Sequence, residues 1–420
     1  MTRLRNIFGK DFDFRKEVLG KDLIAGISVA VVALPLALGF GVTSGMSAAS
    51  GLTTAIIAGF LAALFGGSRY QVSGPTGAMT VILIPIIHQY GPTAIPYLGL
   101  IAGLIVIAMA FLRIGNIINR VPWSVIEGFT VGIAFVIALQ QLPLALGVPR
   151  AVGDRTLLVA YATVKDALST GVNWQVILIL AITLVVKFSY PKVSHRFKFK
   201  IHIPASFLAI VASLLVVQIF SLDVMSIGDI PRSIGQWQGD QISFGDLAHL
   251  LWPAFLIALL CAIESLLSAR VADGMVHAKV EDRYHPNREL FGQGLGTLVA
   301  SLFGGMPATG AIARTSVNVR SHARTRLASM FHAAVLLFVA LVAAPWVSHI
   351  PAAAIAAVLI GTSYRILNPG AIRESLRTTK TEASVIFITA VATLAIDLIW
   401  GIAIGICLYT VLNRKNSITR

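Results

Sequence analysis

Residues 303–320 limit most tightly what this chain can fold into. They sit in a hydrophobic protein, yet they cannot cross a bilayer. Gly304, Gly305, Pro307 and Gly310 break any helix at the start, and after Thr309, read as an N-cap, only a short stretch remains before the basic run 320–326. A span needs roughly 20 apolar residues, so the spacing predicts a half-helix that ends near the bilayer middle. The stretch also carries Arg314, and a cation at that depth costs about 3 kcal/mol even on insertion scales. A second stretch matches it: Ser73-Gly74-Pro75-Thr76-Gly77 precedes the short apolar run 78–87. Two broken helices with free N-terminal N–H groups, and one arginine beside them, make a site for an anion. The plainer reading is a pair of re-entrant packing segments with Arg314 paired structurally.

Only 12% of the residues are charged and 56% are hydrophobic. An ordinary soluble domain carries about twice that charge, so the chain reads as an all-α polytopic membrane protein. The net charge of +14 does not imply nucleic acid, because the positives fall in short loops between apolar runs. Cys261 and Cys407 lie in apolar runs, so neither a disulfide framework nor a metal site is expected. The histidines read as lying near span ends, without metal-ligand spacing. No nucleophile–base pair or nucleotide motif stands out, so an enzyme is not expected.

Fourteen apolar runs are readable, seven before the polar segment 221–246 and seven after it. With the N-terminus placed inside, 28 of the 33 Lys and Arg fall on one side, among them Lys187 in an inside segment 187–200. Four, Arg150, Arg155, Lys165 and Arg232, fall on the other, and Arg314 stands apart. That asymmetry predicts both termini in the cytoplasm. The polar, basic residues 1–21 read as a cytoplasmic segment rather than a cleavable signal. Internal repetition supports two copies: Thr76-Gly77-Ala78 returns as Thr309-Gly310-Ala311, and Leu64-Phe65-Gly66-Gly67 as Leu302-Phe303-Gly304-Gly305. Seven is odd, so the second copy enters from the opposite side, giving two inverted repeats of seven (7+7) with half-helices meeting at the midplane.

At such a site the half-helix starts supply N–H groups, while Ser73, Thr76, Thr309 and Thr315 supply hydroxyls. Pro35 and Phe40, midway along the first span, are expected to form an apolar wall, with simple core packing as the alternative for Phe40. Glu264 is the one carboxylate deep in the eighth run, a candidate coupling-ion ligand or proton carrier, with Ser268 one turn on. Its alternative role is to neutralise Arg314 or cap the half-helix donors. Arg270 and Asp273 read as interfacial, and Asp397 as a gate-side ion-pair partner.

Several strings resemble the sulfate permease (SulP) family, relatives of the solute carrier 26 anion transporters. These are Asp22-Leu23-Ile24-Ala25-Gly26, Ala33-Leu34-Pro35, Gly74-Pro75-Thr76-Gly77, Ile263 through Ser268, Ala272-Asp273-Gly274-Met275, and Asn287-Arg288-Glu289-Leu290 with Gly292-Gln293-Gly294. The resemblance covers nearly the whole chain. It implies a cytoplasmic segment 1–21, a core domain from 22–115 and 247–346, and a gate domain from 116–221 and 347–413. An extracytoplasmic connection 222–246 joins the halves, and 414–420 form a cytoplasmic tail. It further implies a homodimer in the bacterial inner membrane and elevator-like movement of core against gate. The implied substrate site is Phe40, Ser73, Thr76, Gly77, Thr309, Ala311, Ala313 and Arg314, with Glu264 and Ser268 for a co-transported proton or sodium; no other cofactor or metal is implied.

Two departures matter. Many sulfate-transporting members have Pro-Gln where this chain has Pro35-Leu36, and sodium-coupled bicarbonate members lack an arginine at the position of Arg314. The sequence also stops at Arg420, where most members continue into a STAS domain. The leading expectation is a secondary active carrier for sulfate, bicarbonate or a dicarboxylate. A nucleobase permease of the same 7+7 architecture and an uncoupled anion exchanger or channel are the rivals.

Overall fold

The computed structural model describes residues 11–118, 121–153, 155–197, 204–237, 247–367, 379–396 and 398–418. Asp397, and the 198–200 part of the inside loop, lie outside the described residues. The chain is mostly helical. In order it runs through α1 (Lys16–Thr43), α2 (Ala48–Phe65), β1 (Ser73–Gly74), α3 (Gly77–Tyr90), α4 (Ile95–Phe111), α5 (Trp123–Gln140), α6 (Thr156–Thr170), α7 (Trp174–Arg196) and α8 (Ala205–Phe220). It continues through α9 (Leu251–Met275), α10 (Pro286–Leu302), β2 (Thr309–Gly310), α11 (Ile312–Arg320), α12 (Leu327–Phe338), α13 (Ala352–Leu367), α14 (Lys380–Ala395) and α15 (Leu398–Ile418). Among the described residues seven helices are long and apolar enough to cross a membrane, and five shorter helices are apolar as well. α12 reaches spanning length by running through a π-turn at Val339–Ala343 into Ala344–Val347.

The chain divides into two compact units, Met1–Asn119 with Ile227–His349, and Arg120–Ser226 with Ile350–Arg420. In the first unit α10 lies against α2 and α4, and α1 against α2 and α12. Close approach is the reason for the glycines in α10. A Cβ on Gly294 would meet the Gly103 carbonyl at 2.8 Å, and one on Gly292 would meet the backbone of Gly66 at 2.5 Å. The Gly292-Gln293-Gly294 string therefore brings α10 onto its neighbours and delivers Gln293 into the interior, where it is 1% exposed. The segment from Ile227 to Trp237 also belongs to this unit: Gln236 N–H donates to Phe303 O at 3.1 Å, and Trp237 stacks edge-on against Phe303.

In the second unit α5 lies along α14, and α7 contacts α8 and α13. Two features go beyond the sequence reading here. Residues 156–170, which are not among the fourteen apolar runs, form α6, which buries Val159, Ala160, Thr163 and Ala167. That narrow stripe is interrupted by Lys165 and Asp166, so it does not register as an apolar run. Lys187, placed in an inside loop, is instead a fully buried residue of α7. Its ammonium donates to Ser206 Oγ at 2.9 Å, Val358 O at 2.9 Å and Thr362 Oγ1 at 3.1 Å. Three acceptors match its three donors, which is how a cation can sit inside a helix.

Candidate functional site

Both half-helices start from one crossover in the first unit. β1 and β2 pair antiparallel, Ser73 opposite Gly310 and Gly74 opposite Thr309. Thr76 caps α3, its hydroxyl accepting from Met79 N–H at 3.3 Å. Thr309 does not cap α11 as the sequence reading expected. Thr309 and Gly310 stay extended to pair with β1, so the N-cap position passes to Ala311, which has no side-chain cap. Gly310 N–H is taken by Ser265 Oγ at 3.0 Å and Ala311 N–H by Val72 O at 3.0 Å. The orphan donors of α11 therefore begin at its first turn, where Ala313 is half-buried.

Glu264, 8% exposed on α9, meets this crossover. Its Oε2 accepts from Thr76 Oγ1 at 2.8 Å and from Thr309 Oγ1 at 2.5 Å. Those threonines are counterparts in the internal repeat, so one carboxylate oxygen receives the same hydroxyl from each copy. These two bonds fix Glu264 between the two half-helix starts.

Arg314 lies in the first turn of α11 and is 1% exposed. Its Nη2 donates to Pro75 O across the crossover, while among the described residues Nε and Nη1 have no partner. A Cβ on Gly74 would collide with Nη1, so the glycine is what admits the guanidinium there. A buried donor left unpaired costs about 1–3 kcal/mol, more when charged. Two such nitrogens side by side on one guanidinium match two oxygens of an oxyanion.

The remaining expected residues are distributed around this pair. The carbonyl of Phe40, a residue 7% exposed on α1, lies 3.5 Å from Thr80 Oγ1 on α3. Gly77 is the buried first residue of α3. Ser73 Oγ accepts from Gln293 Nε2 at 2.5 Å. Ser268 donates to Thr315 Oγ1 at 3.0 Å, and Thr315 accepts from Val72 N–H at 3.1 Å. No hydrogen bond among the described residues joins Ser268 to Glu264. Two cavities in this unit, of about 670 Å³ beside Arg69, Asp282 and Arg324 and about 270 Å³ beside Thr53 and Asp229, include neither Arg314 nor Glu264.

Sequence reasoning missed Glu289, which is 1% exposed. Its Oε2 accepts from Gly67 N–H at 2.7 Å and Ser68 N–H at 2.8 Å, and its Oε1 from Gln71 Nε2 at 2.8 Å and Gln293 Nε2 at 2.9 Å. Four donors hold the segment that leads into β1. The signal was the Asn287-Arg288-Glu289-Leu290 string, but an acid in the first turn of a helix is ordinarily a solvated residue. His332 was missed too. It is fully buried on α12, not near a span end, and a Cβ on Gly59 would stand 3.7 Å from its ring.

A family model described as the sulfate permease family matches residues 19–389. A putative sulfate transporter of Bacillus subtilis, YvdB, is 37% identical over 407 residues, 95% of this chain and 75% of that protein. The bicarbonate transporter BicA of Picosynechococcus is 31% identical over 405 residues, 93% of this chain and 69% of its own. Among solved structures, the transmembrane domain of a cyanobacterium bicarbonate transporter BicA matches with a TM-score of 0.81 at 28% identity, covering 96% of this chain and 99% of that one. The murine solute carrier 26 member A9 anion transporter matches at 0.82, covering 98% of this chain and 72% of that one; at 16% identity this speaks for the fold alone. On these grounds the chain is a membrane protein of the sulfate permease family, to which it belongs along most of its length.

Proposed function

We propose that this chain is a secondary active transporter for a small oxyanion such as sulfate, bicarbonate or a dicarboxylate. The observation that carries the reading is Arg314: a buried guanidinium with two nitrogens unpaired among the described residues, at the start of a half-helix. The substrate accepts from Nε and Nη1 and from first-turn N–H groups of α3 and α11, in a setting walled by Phe40. Glu264 takes up the coupling cation. An anion arriving beside Arg314 offsets that residue's charge, so cation capture at Glu264 becomes more favourable, and linkage makes the effect reciprocal. The threonines on Glu264 Oε2 transmit cation binding to both half-helix starts. Arg314's own charge favours a proton over sodium at this site.

In this reading the fourteen elements form two inverted repeats of seven. The core domain (22–115 and 247–346) moves as an elevator against the gate domain (116–221 and 347–413) of a homodimer in a bacterial inner membrane, with both termini cytoplasmic. The division of the chain into two compact units along nearly these boundaries supports it, as does the shared role of Thr76 and Thr309.

The test is uptake into proteoliposomes of radiolabelled sulfate, bicarbonate, chloride and a C4-dicarboxylate under an imposed proton or sodium gradient. Uphill accumulation of one oxyanion is expected; flux that never exceeds equilibration identifies an uncoupled exchanger or channel. For orientation, cysteines at Arg155 and Arg232 are expected to react with impermeant reagents from outside, and one at Arg283 only from inside. Labelling of the Arg283 position from outside overturns the topology.

A further inference from the structure

Three arginines from three separate segments converge on one carboxylate. Asp11, 6% exposed, accepts from Arg288 Nη1 at 2.8 Å, with Arg326 Nη2 at 3.3 Å and Arg69 Nε at 3.9 Å. The Asp11 carbonyl also accepts from Arg326 N–H at 3.3 Å. Further acids bear on the cluster. Asp282 pairs with Arg69 Nη2 at 3.1 Å, Asp273 acts on Arg69 at longer range, and Glu289, already bound by four donors, acts likewise on Arg326. Asp11 is the acid that all three arginines share.

Arg326 is the demanding member. It is 1% exposed, donates to the Gly66 carbonyl, and among the described residues its Nε has no partner. Burial, and then the neighbouring Arg288, pushes it down to about 10, with Asp11 acting the other way. A buried arginine left without an anion is costly. Asp11, by contrast, lies ahead of α1, and residues close after it form their own exposed pair, Asp13 with Arg15. Arg288 and Arg326 are placed by the starts of α10 and α12, and Arg69 by the segment between α2 and β1.

We propose that Arg69, Arg288 and Arg326 form a second oxyanion site, distinct from the one at Arg314, and that the chain's own Asp11 carboxylate occupies it in competition with a free or lipid-borne oxyanion. Arg69 lies in the segment that Glu289 holds, Arg288 is Glu289's neighbour, and Arg326 follows α11. The occupant therefore ties together the three segments that carry both half-helices. A phosphate or sulfate has more acceptor oxygens than Asp11 and can also serve the unpaired Nε of Arg326.

The test uses full-length protein in an Arg314→Ala background, so that the proposed transport site contributes no anion response. Phosphate-dependent thermal stabilisation is measured against chloride at equal ionic strength. Adding Asp11→Ala is expected to tighten the apparent phosphate affinity at least tenfold, and a further Arg288→Ala to abolish the gain. Asp11→Asn, nearly the same shape, is the second variant should Asp11→Ala fold poorly. Repeating the measurement in nanodiscs of zwitterionic or anionic lipid separates the sources: a phosphate response lost only in anionic lipid identifies a headgroup as the competitor. A phosphate response unchanged by Asp11→Ala and Asp11→Asn overturns the proposal, as does one that survives Arg288→Ala. Neither outcome bears on whether Arg314 binds substrate, which is read separately from the Arg314→Ala uptake.

Discussion

Arg314 and Lys187 are both buried cations inside a membrane protein, one in each compact unit, and they are treated in opposite ways. Lys187 spends its three donors on Ser206, Val358 and Thr362, none of them acidic, and closes α7 onto α8 and α13. Arg314 bonds Pro75 through Nη2, and among the described residues its Nε and Nη1 have no partner. Burial alone therefore says little about function. What separates a structural cation from a ligand-binding one is whether the fold has supplied enough acceptors, because an unmet buried donor persists only where something else meets it.

The sharpest break of this contrast is Arg314→Ala. It is expected to weaken oxyanion binding by at least about 30-fold, the lower end of what truncating one partner of a buried charge pair costs, while the melting temperature stays near that of the parent. Native uptake affinity in a well-folded Arg314→Ala protein defeats the assignment. Lys187→Ala should do the converse. It removes the donor that Lys187 gives to Ser206 and opens a void, so a loss of about 2–4 kcal/mol in stability is expected, with anion affinity within about threefold of the parent by the magnitude of distant effects. Lys187→Met, which keeps most of the stem, should lose less. An anion affinity that falls with Lys187→Ala at unchanged melting temperature would move Lys187 into the binding machinery.

Glu264→Gln sharpens the functional side of the comparison. The amide oxygen can still accept a threonine hydroxyl, but the side chain no longer takes up a cation, so exchange down a gradient should persist while cation-driven accumulation is lost. Accumulation equal to the parent's would make Glu264 structural. The smallest effects are expected for Thr76→Val and Thr309→Val. Each removes one hydroxyl bond to the same oxygen, worth about 1.5 kcal/mol, or roughly tenfold in coupled uptake. The two should be similar, because the residues are repeat counterparts with one shared acceptor. A large inequality between them would show that the copies have diverged in function.

Much of this site was legible in the chain. The helix-breaking clusters around Gly74 and Pro307, the lone intramembrane Arg314 and the lone deep Glu264 are local features, and a bilayer makes each costly enough to be conspicuous. The Thr-Gly-Ala repeat even paired the two threonines that meet on Glu264. The N-cap of α11 was misplaced because pairing of Thr309 and Gly310 with β1 is a contact across more than two hundred residues of sequence, and it overrides the local preference of a threonine. Lys187 was misplaced for a similar reason. A lysine near the end of an apolar run reads as a loop residue until the acceptors on two other helices are known.

The sequence by itself determined that this is a helical membrane protein with repeated sequence strings and an arginine beside two broken helices. Those conclusions rest on hydropathy, helix-breaking residues and charge, which act over a few residues and need no partner. Only the tertiary structure decided which buried polar groups are satisfied. Glu289 is fully bonded, Arg314 is not, and Asp11 is the carboxylate between three arginines. Hydrogen bonding depends on direction and on distances of about 3 Å, and only the folded chain brings donors and acceptors from distant helices to that range.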